Sequence, residues 1–144
     1  MQERVSVRDV YISLPVRDTA RSRAFWEALG FGFDERFSDS RSLCLLLRQG
    51  VRVMLIRRDY YQTFTNRPAT DGSSSQVLLT LDVGSRERAD EIVHTALVNG
   101  ASRYLDSSDS GWMDYDRFED PDGHQWEIAF IDEDVLRRQE MEEA

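Results

Sequence analysis

Gly123-His124-Gln125-Trp126-Glu127-Ile128-Ala129 repeats, in pattern, the stretch Gly50-Val51-Arg52-Val53-Met54-Leu55-Ile56, which lies 73 residues earlier. Each opens on a glycine suited to a turn and continues as a strand, in which side chains two apart share a face. A second match, Leu14-Pro15-Val16 with Leu81-Asp82-Val83, is offset by 67 residues, and each member runs into a helix start, at Asp18 and at Ser85. A chain that presents the same order of elements twice is read first as two modules. The order here is βαβββ.

Working outward, residues 7–16 form the first strand, with Val10, Ile12, Leu14 and Val16 on one face and Tyr11, Ser13 and Pro15 on the other. The first helix follows Asp18, with Ala20, Ala24, Phe25, Ala28 and Leu29 as its apolar stripe and Gly30 at its end. Strands are expected near 32–37, 42–48 and 51–57, the last two joined at Gln49-Gly50. Asn66, Pro68, Asp71-Gly72 and a serine triplet mark residues 59–75 as a linker, with one short helical turn near Tyr60, Tyr61 and Phe64. The second module begins with a strand at 76–83. Its helix, capped by Ser85, carries Ala89, Ile92, Val93, Ala96 and Leu97 and ends at Gly100. Strands near 102–105, 112–118 and 125–132 complete it, and residues 133–144 read as a surface helix or a frayed end. The expectation is therefore one α+β domain over 1–144, with module 1 at about 7–58 and module 2 at about 76–132.

Composition narrows the function classes. At 144 residues, 40% hydrophobic and 31% charged, the chain suits a globular domain that needs neither disulfide nor metal to fold. A net charge of −9 argues against a nucleic-acid backbone or an anionic membrane as partner. All 18 basic residues are Arg, which removes Schiff-base chemistry and a P-loop lysine. The one cysteine, Cys44, lies in an apolar run and reads as a small hydrophobe. The first ten residues hold no apolar signal region, so a cytoplasmic location is expected.

Two stretches carry a resemblance: Leu14-Pro15-Val16-Arg17-Asp18 running into Arg23-Ala24-Phe25-Trp26-Glu27-Ala28-Leu29-Gly30-Phe31, and Phe118-Glu119-Asp120-Pro121-Asp122-Gly123-His124-Gln125-Trp126-Glu127. With these the chain resembles the vicinal-oxygen-chelate superfamily, which includes glyoxalase I, bleomycin-resistance proteins, fosfomycin-resistance transferases and extradiol dioxygenases. Gly111-Trp112-Met113 and Ser85-Arg86-Glu87 look like a bacterial glyoxalase-like subgroup. The resemblance implies the glyoxalase/bleomycin resistance/dioxygenase fold, a curved mixed sheet of two βαβββ modules around a ligand cup, and commonly a homodimer. It also implies metal-ligand positions on the first and fourth strand of each module. Carried over with the two offsets, these fall at Tyr11, Met54, Leu78 and Glu127, of which only Glu127 suits a divalent cation.

Strand alternation by itself puts Tyr11, Ser13, Arg52, Met54, Ile56, Gln76, Leu78, Thr80, Gln125, Glu127 and Ala129 on the cup wall, with Trp112 and Met113 near its mouth. A mostly apolar wall with few polar anchors suits a small ligand. Glu127 is the candidate catalytic acid or base, or else an ion-pair partner of Arg52 or another arginine; it is also the single metal-ligand candidate. Three functions stay open: a metal-independent binder of a small molecule with no cofactor, a lyase or isomerase using Glu127 alone or with a divalent metal, and a structural paralogue that assembles with another protein.

Overall fold

The hairpin at Gln49-Gly50 sets the first module, because its strands are bounded by turn signals on both sides. It joins β3 (Ser42–Arg48) to β4 (Val51–Arg57), both within the expected limits. The computed structural model describes residues 4–109 and 111–143; residues 1–3, Ser110 and Ala144, all within the expected domain, lie outside the described residues. The described chain forms two compact units that divide between Thr70 and Asp71, inside the expected linker.

In the first unit β1 (Val10–Val16) lies parallel to β4, and α1 (Thr19–Ala28) and β2 (Gly32–Phe33) precede the hairpin, giving the sheet order β1-β4-β3-β2. In the second, β5 (Leu78–Asp82) and α3 (Arg86–Val98) precede β6 (Ser108–Asp109), β7 (Met113–Glu119) and β8 (Gln125–Ile131), in the order β5-β8-β7-β6. The registers reproduce both sequence offsets. Tyr11 pairs with Arg52 and Ser13 with Met54, while Leu78 pairs with Gln125 and Thr80 with Glu127. Likewise Cys44 faces Met54 as Arg117 faces Glu127. Two βαβββ modules are thus present, each with a four-stranded mixed sheet.

One face of each sheet is dry. In the first unit Leu14, Val16, Leu43, Leu45, Val53 and Leu55 are buried, and α1 packs on β3 and β4. In the second, Phe118, Trp126 and Ile128 are fully buried, and α3 packs on β7 and β8 through Ala89, Ile92, Val93 and Ala96. The N-caps are as expected: Asp18 accepts from Ala20 N–H at 2.9 Å and Ser85 from Arg88 N–H at 3.1 Å.

Several expectations are corrected. The buried stripe of α1 is Ser22, Phe25, Trp26 and the following Leu29, whereas Ala20, Ala24 and Ala28 are exposed. The aromatic rings bury more area than three methyl groups and set the helix rotation, with Trp26 edge-on to Phe25 and to Phe31. The strand expected at 32–37 ends at Phe33, because Asp34 caps a 3-10 turn (Glu35–Phe37) by accepting from Arg36 N–H. The strand expected at 102–105 is a single bridge, Ser102 to Glu119, and the edge strand lies at Ser108–Asp109 instead. Arg103 is held by Asp116, its Nε 3.2 Å from Oδ1, which fixes that edge by side chain instead of by ladder. β1 begins at Val10 and β5 at Leu78, leaving Val7 and Val77 exposed and the expected wall residue Gln76 outside the strand. The linker holds α2 (Arg58–Tyr61) and a 3-10 turn (Gln62–Phe64), on which Phe64 stays exposed with its ring against Tyr60. Residues Glu133–Glu143 form α4, capped by Asp132. No helix among the described residues is long and apolar enough to cross a membrane.

The Asp-Pro-Asp-Gly turn before β8 is built around a buried carboxylate. Asp120 accepts from the backbone N–H groups of Asp122 and His124 and from Trp126 Nε1, all within 3.0 Å. Burial raises its pKa, against the charge of His124 and the indole hydrogen bond, which favour the carboxylate. The turn also receives the linker: a Cβ built on Gly123 would stand 2.7 Å from Gly72 Cα. Gly123 has φ +84°, and Gly84 has a similar +86° but open space around it. Gly84→Ala should therefore cost only backbone strain, ~1–2 kcal/mol. Gly123→Ala should cost a further ~1–3 kcal/mol of steric displacement. Urea unfolding of both variants checks this, and equal losses would contradict the close approach.

Candidate functional site

Each sheet has a second face, opposite its helix, and the side chains there are mixed in character. On the first sheet it carries Tyr11, Ser13, Cys44, Arg52, Met54 and Ile56, since these occupy matched register positions. Tyr11 is 49% exposed, whereas Cys44 and Ile56 are buried. Arg52 organises this face. Its Nη1 donates to Tyr11 Oη at 3.2 Å and stands 3.4 Å from Asp34 Oδ2. Its guanidinium carbon lies 5.6 Å from the Tyr11 ring centroid and 5.8 Å from that of Phe37. Asp34 also receives Arg36 through Nη2 at 2.7 Å, and this hydrogen bond holds its pKa down to about 2. Burial raises the Cys44 thiol pKa, so Cys44 behaves as the small hydrophobe its surroundings suggest.

On the second sheet the face carries Leu78, Thr80, Met113, Tyr115, Arg117, Glu119, Gln125, Glu127 and Ala129. Leu78 is 50% exposed, Ala129 is fully buried, and Glu127 is half-buried. Glu127 Oε1 accepts from Thr80 Oγ1 at 2.7 Å. Arg117, directly across the β7–β8 ladder from Glu127, donates from Nη2 to Ser108 Oγ at 3.1 Å and lies 4.8 Å from the Tyr115 ring centroid. Its Nε is buried with no hydrogen-bond partner, and so is the hydroxyl of Tyr104. Burial raises the Tyr104 pKa, and the charges of Arg117, Glu127 and Glu119 act on it, so it belongs to the same cluster.

The site residues read from the sequence are thus sorted by module. Tyr11, Ser13, Arg52, Met54 and Ile56 share the first sheet's face, and Leu78, Thr80, Gln125, Glu127 and Met113 the second's. Trp112 precedes β7, and its carbonyl accepts from Asp132 N–H. Sequence reading missed Asp34, Arg117, Tyr104 and Ser108. The offset of 73 that takes Met54 to Glu127 also takes Cys44 to Arg117, and that signal was present in the sequence. Among the described residues no three of His, Cys, Asp and Glu gather as a metal site.

Solved structures share this architecture. A hypothetical protein from S. aureus matches with TM-score 0.75 and 22% identity, over 88% of this chain and 95% of its own. A glyoxalase/bleomycin resistance protein/dioxygenase family enzyme from Burkholderia phytofirmans PsJN matches with TM-score 0.70 and 20% identity, over 84% of this chain and 96% of its own. The bleomycin resistance determinant encoded on the transposon Tn5 matches with TM-score 0.59 and 21% identity, over 85% and 97% respectively. The chain therefore has the glyoxalase/bleomycin resistance/dioxygenase fold, that of the superfamily its sequence resembles. No family model and no curated protein matches the sequence.

The Asp34–Arg36 pair sets a pH dependence. A carboxylate whose folded pKa lies below its unfolded value of ~3.9 stabilises the fold above that value and loses the effect as pH falls through the folded pKa. The folded value here is about 2. Asp34→Asn retains a cap oxygen but not the charge. The stability gap between wild type and variant should be constant above about pH 5 and should close between about pH 4 and 2. Urea midpoints measured across that range test this; a gap unchanged at pH 2 would show that the charge plays no part.

Proposed function

We propose that the chain is a small-molecule-binding protein of the glyoxalase/bleomycin-resistance type that works without a metal. The observation that carries this reading is the residue set at the four positions where the superfamily resemblance locates ligands. Tyr11 already receives Arg52 on its hydroxyl, Met54 faces Cys44 across the ladder, and Leu78 is an alkyl chain on an edge strand. Only Glu127 offers a charged oxygen. A thioether, an alkyl chain and a neutral phenol do not make the donor set of a divalent transition-metal site, so the residues present do not fit the group.

What they do fit is an organic ligand. On the second sheet half-exposed Leu78 supplies apolar area outside the helix layer and Thr80, Gln125 and Glu127 supply polar anchors; on the first sheet, taken by itself, half-exposed Tyr11 and Arg52 offer the same two kinds of contact. A second reading rests on Glu127 itself. Half-buried and held by Thr80 at 2.7 Å, it is oriented to move a proton, as a lyase or isomerase would need. The binder is preferred because three of the four positions that the resemblance assigns to the site, Tyr11, Met54 and Leu78, lack acid–base or ligating chemistry suited to a metal-assisted reaction.

Elemental analysis of the purified protein after dialysis should find well under one equivalent of Ni, Zn, Mn or Fe per chain, with a Tm unaffected by EDTA. One tightly held ion, lost in Glu127→Gln, would overturn the reading. A two-fold dimer accompanies the proposal, since closed two-fold dimers are the commonest oligomers. Sedimentation at micromolar concentration should give twice the chain mass of 16.7 kDa, and a single-chain mass would refute it.

A further inference from the structure

Charge is divided unevenly along the chain. Residues 1–70 hold 12 Arg against 8 acidic side chains, whereas residues 71–144 hold 6 Arg against 19. Each half of that imbalance also carries an exposed apolar anchor that belongs to neither module. In the linker it is Phe64, 63% exposed, and the segment that presents it is pinned. Gln62 Nε2 donates to the Arg67 carbonyl at 2.7 Å, and Gln62 Oε1 accepts from Ala69 N–H at 2.9 Å. Thr63 Oγ1 donates to the Tyr60 carbonyl at 2.7 Å. The Phe64 ring stands 4.9 Å from that of Tyr60, and the Arg41 guanidinium lies over the Tyr60 ring at 4.2 Å. Arg58 and exposed Arg67 are on the same segment and, unlike Arg57, enter no ion pair among the described residues. An aromatic ring held rigidly among arginines has the make-up of a protein-binding anchor.

The tail offers the complement. α4 is 11 residues long and buries none of them, although helices draw most of their stability from packing an apolar face. Val135, Leu136 and Gln139 are half-buried, whereas Met141, on the opposite side of the helix, is 74% exposed. Glu140, Glu142 and Glu143 flank it in a last turn that holds no basic residue. Carboxylates at the negative end of a helix dipole are unfavourable until cations approach them. We propose that α4 of one copy docks its last turn on the Phe64 segment of a second copy, with Met141 against the Phe64 ring and the three glutamates toward Arg58 and Arg67. A thioether on an aromatic ring is a favourable contact, and the charges match. Each copy carries both surfaces, so the reciprocal contact closes a two-fold pair. This rests on the dimer proposed above and names the surface it uses.

The experiment is sedimentation of the full-length chain at micromolar concentration, with Phe64→Ser and Met141→Ser studied alone and mixed. Both substitutions are at exposed positions, so circular dichroism should show each variant folded as wild type. Wild type should run as a dimer that weakens as salt is raised to about 1 M, where surface charges are screened. Each variant alone should lose roughly tenfold or more in association, because both of its reciprocal contacts are damaged. Mixed in equal amounts, the two should recover part of that loss, since their heterodimer pairs one intact Phe64 with one intact Met141. A dimer indifferent to salt or to either substitution overturns this contact and leaves dimerisation through another surface standing. Losses that do not recover on mixing overturn it in the same way. A wild-type chain that sediments as a single copy overturns the contact and the dimer together.

Discussion

A parallel strand pair with one dry face cannot slip by a single residue, because the slip would turn every buried side chain to the wet side. That constraint acts twice here, between β1 and β4 and between β5 and β8, and everything else is arranged around it. In the first pair Ile12, Leu14 and Val16 share the helix side with Val53 and Leu55; in the second, Leu79 and Leu81 share it with Trp126 and Ile128. The opposite faces follow automatically. Tyr11 must stand beside Arg52, and Thr80 beside Glu127, whatever function those residues have. The candidate site is thus a by-product of core packing in its placement, and free to vary in its chemistry.

The modules have used that freedom differently. At one rung the first holds Cys44 and Met54, a soft pair with its cysteine fully buried, and the second holds Arg117 and Glu127. The first module keeps its charge one rung away, where Arg52 is tied down by Tyr11 and Asp34. The second holds Arg117 by Ser108 and Tyr115, and in both modules the Nε of that arginine is buried without a hydrogen-bond partner. What distinguishes the second sheet is Glu127, a charged oxygen where the first sheet has Met54, and since a fold by itself does not fix an activity it is this residue that bears on function.

Strong local signals made much of the architecture legible in the sequence. The hairpin strands β3 and β4 were bounded by Gln49-Gly50 and by polar flanks, and both helices had side-chain caps. Edges were less legible, because an edge strand gains half the ladder of a central one and a single side chain can end it. Asp34 stops β2 by capping a turn, and Arg103 replaces ladder pairing with an ion pair to Asp116. The rotation of α1 was misjudged because three alanines and two aromatics offered competing stripes, and alternation does not weigh ring area. Arg117 escaped notice for a different reason. Its strand, Met113-Asp114-Tyr115-Asp116-Arg117-Phe118-Glu119, alternates charge with aromatics and resembles a solvated edge, although it is the second strand inward. The ion pairs of Asp114 with Arg86 and Asp116 with Arg103 occupy its other face and account for that composition.

The account turns on whether the open face of the second sheet binds organic ligand through Glu127 and its neighbours without a metal. A high-resolution crystal structure of the chain soaked with a mixture of small organic molecules, with anomalous data collected across the transition-metal edges, addresses both halves together. The account predicts an organic molecule over Leu78, Thr80, Gln125 and Glu127, and no anomalous peak within coordination distance of Glu127. A metal peak at the Glu127 carboxylate, or ligand density confined to other surfaces while this face holds only water, would contradict it.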